Sequence, residues 1–316
     1  MKAKVILTVA EAEKDHEKWL EIRNKGIGGS DAGTIMGINP YRSRLSLWME
    51  KTGKQEPKDL ADNEAVQWGI RNEPTIATWF AEVTGKKLRK CGTMQSDKYP
   101  WLLANVDRLI DGENAGLEIK TAGIKQSKRW EGDEVPDEYY AQCQHYMLVT
   151  GCDKWYIAVL LGGNKAIYKE VPRNEQFIEE LFEKEAAFWT LVEHDIMPEV
   201  DGSKDAKEAL NFLYPQAKKE TELELETTDK LEEIFKDYAD YKKAINDYTI
   251  LATECENRIK ALMGDNERCK IGNHKASWTN SAGRTGIDSE KLKSELPDIY
   301  KKYIKVGKPS RRFSMK

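Results

Sequence analysis

Three side chains in one short stretch have the types and spacing to do chemistry together. They are Asp107, Glu118 and Lys120, within Asn105-Val-Asp-Arg-Leu-Ile-Asp-Gly-Glu-Asn-Ala-Gly-Leu-Glu-Ile-Lys-Thr121. The stretch reads as two strands joined by the polar turn Asp111-Gly112-Glu113-Asn114, whose Gly and Asn tolerate the backbone a tight turn needs. Strand alternation puts Glu118 and Lys120 on one face and Leu117 and Ile119 on the other. Asp107 can face the first pair across the hairpin. Two carboxylates hold a hard divalent cation through oxygen. A lysine next to them sits beside an attacking water or a pentavalent phosphate and stabilises charge there. The plain alternative is a surface hairpin carrying a Glu–Lys pair two residues apart.

Other elements must position these groups. A helix is expected over residues 14–25, followed by the glycine-rich turn Arg23-Asn-Lys-Gly-Ile-Gly-Gly-Ser-Asp-Ala-Gly33, in which Ser30-Asp31 can cap a helix over 32–36. Such a turn can hold an anion, with Arg23 adding charge and Ser30 a hydroxyl, although a plain capped loop has the same composition. It is not a P-loop, because Gly-Lys-Ser/Thr is missing at the required spacing. The helical stripe Val66, Ile70, Ala77, Phe80 and Val83 carries Glu73 near its apolar side. A carboxylate there must be paired, hydrated or bound to metal, unless it turns to solvent. Pro74 suggests a kink or break beside it. The basic residues of 86–90, and Lys125, Lys128, Arg129 and Trp130 in a polar loop, suit either a phosphate backbone or solvent. A helix over 137–150, stopped by Gly151, puts Gln142 and Tyr146 on one face. That Gln can hydrogen-bond a scissile phosphate or a water. A hairpin over 155–171 and an amphipathic helix over 174–196 follow. The order predicts an α/β (α+β) fold, a mixed central sheet flanked by helices.

Domain boundaries are expected at 1–200 for the core, 201–225 for a linker and 226–316 for a C-terminal extension. The extension holds an unbroken heptad series: Leu231, Ile234, Tyr238, Tyr241, Ile245, Tyr248, Ala252, Cys255, Ile259, Leu262. A helix over 227–263 would be ~55 Å long. Beyond it a hairpin and a short helical stretch broken at Pro297 lead to a tail with Lys301, Lys302, Lys305, Lys308, Arg311 and Arg312. That tail suits DNA backbone and equally a frayed solvent-exposed end.

Composition narrows the classes. The net charge of -4 announces no global affinity for nucleic acid, so a DNA site would be a local basic face. Five cysteines without a CxxC pair argue for a reducing cytoplasm and against a disulfide framework, zinc ribbon or iron–sulfur cluster. No apolar run reaches the ~20 residues of a membrane span, and the N-terminus has no signal pattern. With only four histidines, no Ser/His/Asp or Cys/His set stands out.

Five motifs in order carry a resemblance: Arg23-x6-Ser30, Trp68-Gly-x3-Glu73, Asn105-Val-Asp107, Gly116-Leu-Glu118-Ile-Lys120 and Tyr139-Tyr-Ala-Gln142-x-Gln144. Together they resemble the YqaJ-type viral recombinases, relatives of the lambda-exonuclease family within the PD-(D/E)xK nucleases. The resemblance spans about residues 14–196, and 227–316 looks like the extension of larger, prophage-encoded members. It implies a restriction-endonuclease-like core. It also implies Mg²⁺-dependent 5′-to-3′ digestion of linear duplex DNA, leaving 3′ overhangs for recombination by single-strand annealing in a bacterial cytoplasm. Asp107 and Glu118 would be metal ligands with the Ile119 carbonyl as a third, and Glu73 would complete a second ion's shell. Two such ions lie about 3.5–4 Å apart, and Mn²⁺ could substitute. Lys120 would orient or activate water, Gln142 would position the nucleophile, and Arg23 and Ser30 would grip a terminal 5′ phosphate. A RecT-like annealing protein is the implied partner. A homo-oligomer is also implied, since some relatives form rings that thread DNA, though the heptad helix could impose another assembly. Val106 and Arg108 depart from the residues common around the Asp in that family, without removing a ligand. Two other readings remain: a structure-specific or nicking endonuclease on the same core, and a non-catalytic DNA-binding assembly protein.

Overall fold

The computed structural model describes residues 3–56, 63–283, 285–307 and 311–315. They divide into two units, Met1–Pro215 and Gln216–Lys316. The first unit begins with β1 (Ala3–Leu7), α1 (Val9–Lys14), α2 (His16–Asn24), α3 (Gly29–Ile35), α4 (Arg44–Lys51) and α5 (Glu64–Thr84). Short strands follow, β2 (Lys87–Arg89), β3 (Thr93–Ser96), β4 (Leu103–Ala104) and β5 (Arg108–Asp111), then β6 (Ala115–Ala122) and a 3₁₀ turn, Ile124–Trp130. The unit closes with α6 (Asp137–Thr150), β7 (Lys154–Leu161), β8 (Lys165–Pro172), α7 (Glu175–Glu193) and α8 (Lys204–Leu213).

The central sheet runs β2-β5-β6-β7-β8. Only β6 and β7 pair in parallel within it, joined by the crossover through α6. Strand β6 is covered on both faces, which explains why its sequence is almost continuously buried from Ala115 to Ile119. A second, smaller sheet orders β1-β3-β4. The register Gly116↔Trp155 needs a glycine, because a Cβ there would lie 2.2 Å from the fully buried Trp155 ring. The turn between β5 and β6 likewise uses Gly112 at φ +84°. On the far side of α6, His145 is clasped without solvent access. Its Nδ1 lies 2.7 Å from Glu185 on α7 and its Nε2 lies 2.8 Å from the Leu103 carbonyl on β4.

Several expectations are corrected. The helix expected over 14–25 is α2, His16–Asn24, whose N-cap Asp15 accepts from the Lys18 N–H, and a separate short helix, α1, precedes it unexpectedly. Helix α5 runs through Pro74 without a break. The carbonyl that Pro74 leaves without its usual donor is that of Ile70, a residue 66 % exposed, so water can serve it. The same exposure narrows the predicted stripe. Ile76, Ala77 and Phe80 are buried, whereas Val66, Ile70 and Val83 are not. The expected linker begins too early, because Lys204–Leu213 folds as α8 against α4. Asp205 accepts from both the N–H and the hydroxyl of Ser43, at 2.9 and 2.8 Å, while Ala206 and Ala209 are buried.

The second unit follows the expected order: α9 (Asp229–Met263), the hairpin β9 (Arg268–Ile271) and β10 (His274–Ser277), then α10 (Ser289–Glu295) and α11 (Pro297–Tyr303). Thr228 caps α9. Lys308 of the basic tail lies outside the described residues.

The His145–Glu185 pair makes stability fall in alkali. Against the cost of its burial, Glu185 holds the His145 pKa above the ordinary value, and burial raises Glu185 itself. The folded pair therefore keeps one proton above ~6.5, where an unfolded chain has lost it. The unfolded state then binds fewer protons, so stability present below that pH declines as pH rises through the elevated folded pKa. Denaturant midpoints measured from pH 6 to 10 should decline, and His145→Gln should flatten that slope while costing stability throughout.

Candidate active site

The site is built where the pairing of β5 with β6 stops. That ladder ends at Arg108↔Leu117, so the next residues of β6 have no β5 partner. Asp107, just before β5, takes over. Its Oδ2 accepts from the Ile119 N–H at 2.7 Å. N–H and C=O of one strand residue point to the same edge, so the Ile119 carbonyl faces the side on which Asp107 lies.

Glu118 is 3 % exposed. Its Oε1 accepts from Lys120 Nζ at 2.5 Å and from Gln142 Nε2 at 2.7 Å. Its Oε2 is buried with no hydrogen-bond partner. A buried carboxylate oxygen left in this state is costly unless something electropositive meets it. Burial first, and then the neighbouring Glu118 charge, push the Asp107 carboxyl well above the usual carboxylate range. For Lys120, burial opposes the charge, but Glu118 and Asp107 together hold the ammonium pKa above its ordinary value. Lys120 is therefore a fixed cation at neutral pH, lying 5.1 Å over the Tyr139 ring.

Helix α6 supplies the clamp. Gln142 and Tyr146 share a face one turn apart. Gln142 Nε2 also donates to the Tyr146 hydroxyl at 2.9 Å, and that hydroxyl donates to the Asn105 carbonyl at 2.9 Å. Burial and the Glu118 charge keep the Tyr146 phenol protonated, so it remains a donor. Both amide hydrogens of Gln142 are thus engaged within the protein. In this structure Gln142 holds the Glu118 carboxylate.

Glu73 departs from expectation. It pairs with Arg108, whose Nη1 reaches Glu73 Oε1 and the Asp107 carbonyl, both at 2.6 Å. Arg108, a departure that looked harmless in the sequence, is thus the residue that ties α5 to the Asp107 turn. Among the described residues, no three His, Cys, Asp or Glu side chains gather as a metal cage. The donors present do suit one hard cation: Asp107, the orphaned Glu118 Oε2 and the Ile119 carbonyl. Mg²⁺ is commonly held by one or two carboxylates with water completing its shell. A second ion at Glu73 would have to compete with Arg108.

The glycine-rich turn abuts this site. Helix α3 begins at Gly29, earlier than expected, and Asp31 caps it from its first turn, its Oδ2 accepting from the Gly28 N–H at 3.1 Å. Arg23 donates to Ser30 Oγ at 3.1 Å and stacks 5.3 Å over Trp19. Trp19 in turn reaches Asn105 Oδ1 at 3.3 Å. A Cβ on Gly29 would lie 2.5 Å from the Tyr146 ring, so the turn and the Gln142 clamp share a wall. Beneath it, Asp31 meets Lys51 at 2.9 Å and Arg42 at 3.3 Å. Burial opposes its ionisation, but Lys51, Arg42 and Arg23 hold its carboxyl well below the usual range.

Other expected contacts are taken up inside the chain. Lys86 pairs with Glu113, Arg89 with Asp111, Lys90 with Glu13 and Arg129 with Glu138, and Trp130 is buried.

Comparison with known proteins gives consistent matches. Residues 18–153, which include every candidate site residue, match the YqaJ-like viral recombinase domain. The chain is 38% identical over 309 residues to the uncharacterized protein YqaJ of Bacillus subtilis (strain 168), covering 96% of this chain and 95% of that one. An alkaline exonuclease (LHK-Exo) from Laribacter hongkongensis is similar in fold, with a TM-score of 0.50 and 21% identity. That likeness covers 57% of this chain and 94% of the other.

Crowding Asp107 against Glu118 costs stability. Asp107→Asn keeps an acceptor for the Ile119 N–H and removes the like charge. In EDTA at neutral pH its denaturant midpoint should rise. A fall would show that the carboxylate is welcome there without a cation.

Proposed function

The chain belongs to the YqaJ-like viral recombinase family, and we propose from that membership and its site that it is a Mg²⁺-dependent DNA exonuclease. It acts on linear duplex DNA in the 5′-to-3′ direction and leaves 3′ single strands for annealing-type recombination. The observation that carries the reading is Glu118, whose buried Oε2 has no partner while Lys120 and Gln142 hold its Oε1. Buried oxygens of Glu138 and Glu185 also lack a partner, but Glu118 differs in lying beside a second, reluctantly ionised carboxylate, Asp107.

Asp107, Glu118 and the Ile119 carbonyl would hold the ion, and Mn²⁺ could replace Mg²⁺. When bound, the ion supplies Lewis-acid polarisation of phosphoryl oxygen and acidifies water. The chain's own residues do the rest. Lys120 stays protonated and places a fixed positive charge where negative charge grows on the phosphate. Gln142 and Tyr146 stop Glu118 from rotating away. Arg108 holds the Asp107 turn through its carbonyl and neutralises Glu73. Arg23 and Ser30 offer a cation and a hydroxyl to a terminal 5′ phosphate, one wall away from the carboxylates. End recognition coupled to cleavage is what distinguishes an exonuclease from an endonuclease with the same core. A RecT-like annealing protein would receive the 3′ strand, and the chain would work in the bacterial cytoplasm.

The test is digestion of 5′-phosphorylated linear duplex with Mg²⁺, with covalently closed circles as the control. Nucleotides should be released from 5′ ends only, and EDTA should abolish release. Lys120→Ala should lower the rate by about 10²–10³-fold. Arg23→Ala should erase the preference for 5′-phosphate over 5′-hydroxyl ends while leaving the slow rate on the latter. Equal cleavage of closed circles would replace this reading with the endonuclease one.

A further inference from the structure

Helix α9 carries its apolar residues on the outside. Tyr248 is 73 % exposed and Leu262 88 %, and Ile234, Tyr241 and Ile245 are exposed as well. Only Met263 of its 35 residues is buried. Tyr238 meets Phe313 edge-on at 5.5 Å, which covers one edge of the stripe near its start. A lone helix of this length does not keep such a stripe wet without reason. The three-four spacing is that of a coiled-coil seam, which needs a second helix of matching period.

We propose that α9 pairs with α9 of a second copy of this chain, in antiparallel orientation. The argument is volume. The bulky residues of the seam lie in its first half and middle, the small ones, Ala252 and Cys255, in its second half. Antiparallel pairing about the midpoint between Ile245 and Tyr248 places all ten seam residues in layers. Tyr238 then faces Cys255 of the second copy, and Tyr241 faces its Ala252. At the ends, Leu231 meets Leu262 and Ile234 meets Ile259. Large sits opposite small, as a close-packed core requires. In-register parallel pairing would instead set Tyr on Tyr in three layers and Ala on Ala or Cys on Cys in two. Overpacked layers next to voids are penalised twice.

The flanks agree. The antiparallel seam brings Asp237 beside Arg258 of the second copy and Ala244 beside its Leu251, one opposite-charge and one apolar pair. The charges alone do not choose, because parallel pairing would set Asp237 near Lys242. The two-fold symmetry closes the contact, so it makes a dimer and not a filament.

Cys255 provides the test. Within one helix, residues 238 and 255 are about 25 Å apart at ~1.5 Å per residue, so a link between them must join two chains. Oxidation of full-length Tyr238→Cys should give a disulfide dimer mapped by peptide mass to positions 238 and 255, absent when Cys255→Ser is added. The unsubstituted chain should not join Cys255 to Cys255. A second variant, Ile245→Glu with Tyr248→Glu, changes only exposed residues and puts four carboxylates at the midpoint. Its mass by sedimentation equilibrium should be half that of the unsubstituted chain, whatever the first unit does by itself. A Cys255–Cys255 link, no link in Tyr238→Cys, or an unchanged mass in the double variant would each overturn the proposal. Loss of pairing with nuclease activity intact, or the reverse, separates this inference from the proposed reaction.

Discussion

Everything near the site answers to one unfavourable contact, two carboxylates brought together at the end of a strand ladder. Burial and the neighbouring Glu118 charge make Asp107 resist ionisation there. The chain responds with Lys120 at 2.5 Å and with backbone and amide donors, the Ile119 N–H and Gln142. These donors satisfy one oxygen of each group. The arrangement stops short of full satisfaction, since Glu118 Oε2 keeps no partner. A fold selected for stability alone would protonate, pair or replace that group. Leaving it without a partner costs stability, and the proposed reaction gives that cost a use in cation affinity, as at other functional sites.

The scaffold around this contact is rigid for the same reason. Parallel β6 and β7 fix the position of Glu118 along the sheet, and the Gly116–Trp155 fit fixes their register. Helix α6 is held from both sides. Gln142 and Tyr146 face the carboxylates, while His145 is tied to Glu185 and to the Leu103 carbonyl behind them. A slip of α6 would break both sets at once. Gly29 lets the glycine-rich turn press on Tyr146, so the Arg23–Ser30 pair is located relative to the same helix. Positioning therefore passes through packed side chains and not through flexible loops.

Local pattern made much of this readable. Alternation placed Glu118 and Lys120 on one face, and they are in contact. Glycines at 112 and 151 marked a turn and a helix end, and both take positive φ. What was missed depends on partners distant in the chain. Ser43 and Asp205 lie far apart in sequence, so nothing local announces that 204–213 packs as a helix on the core. The pairs of Lys86, Arg89 and Lys90 with Glu113, Asp111 and Glu13 join residues distant along the chain, so local pattern does not announce them. In the sequence Arg108 is only a neighbour of Asp107. Its guanidinium works across the gap to Glu73, which pattern reading cannot see. A helix face gives direction only roughly, so the contact of Gln142 with the Tyr146 hydroxyl one turn away is not legible from spacing alone.

The two units obey opposite rules of burial. In the first, charged groups are drawn inward and paired: Asp31, Glu118, Glu138, Glu185 and Arg108 are all buried, each with an ion-pair partner. In the second, apolar groups are pushed outward along a helix whose only buried member is Met263. Inward charge demands a catalytic or structural reason, and the site supplies one. Outward hydrophobicity demands a partner. A helix ~52 Å long cannot fold its stripe back on itself, and a short hairpin with two short helices offers too little surface to cover it. The seam's own asymmetry, Tyr238 and Tyr241 before its midpoint and Ala252 and Cys255 after it, is redundant in a helix packed against an unrelated surface. It has a use when the same sequence is read backwards across a two-fold axis.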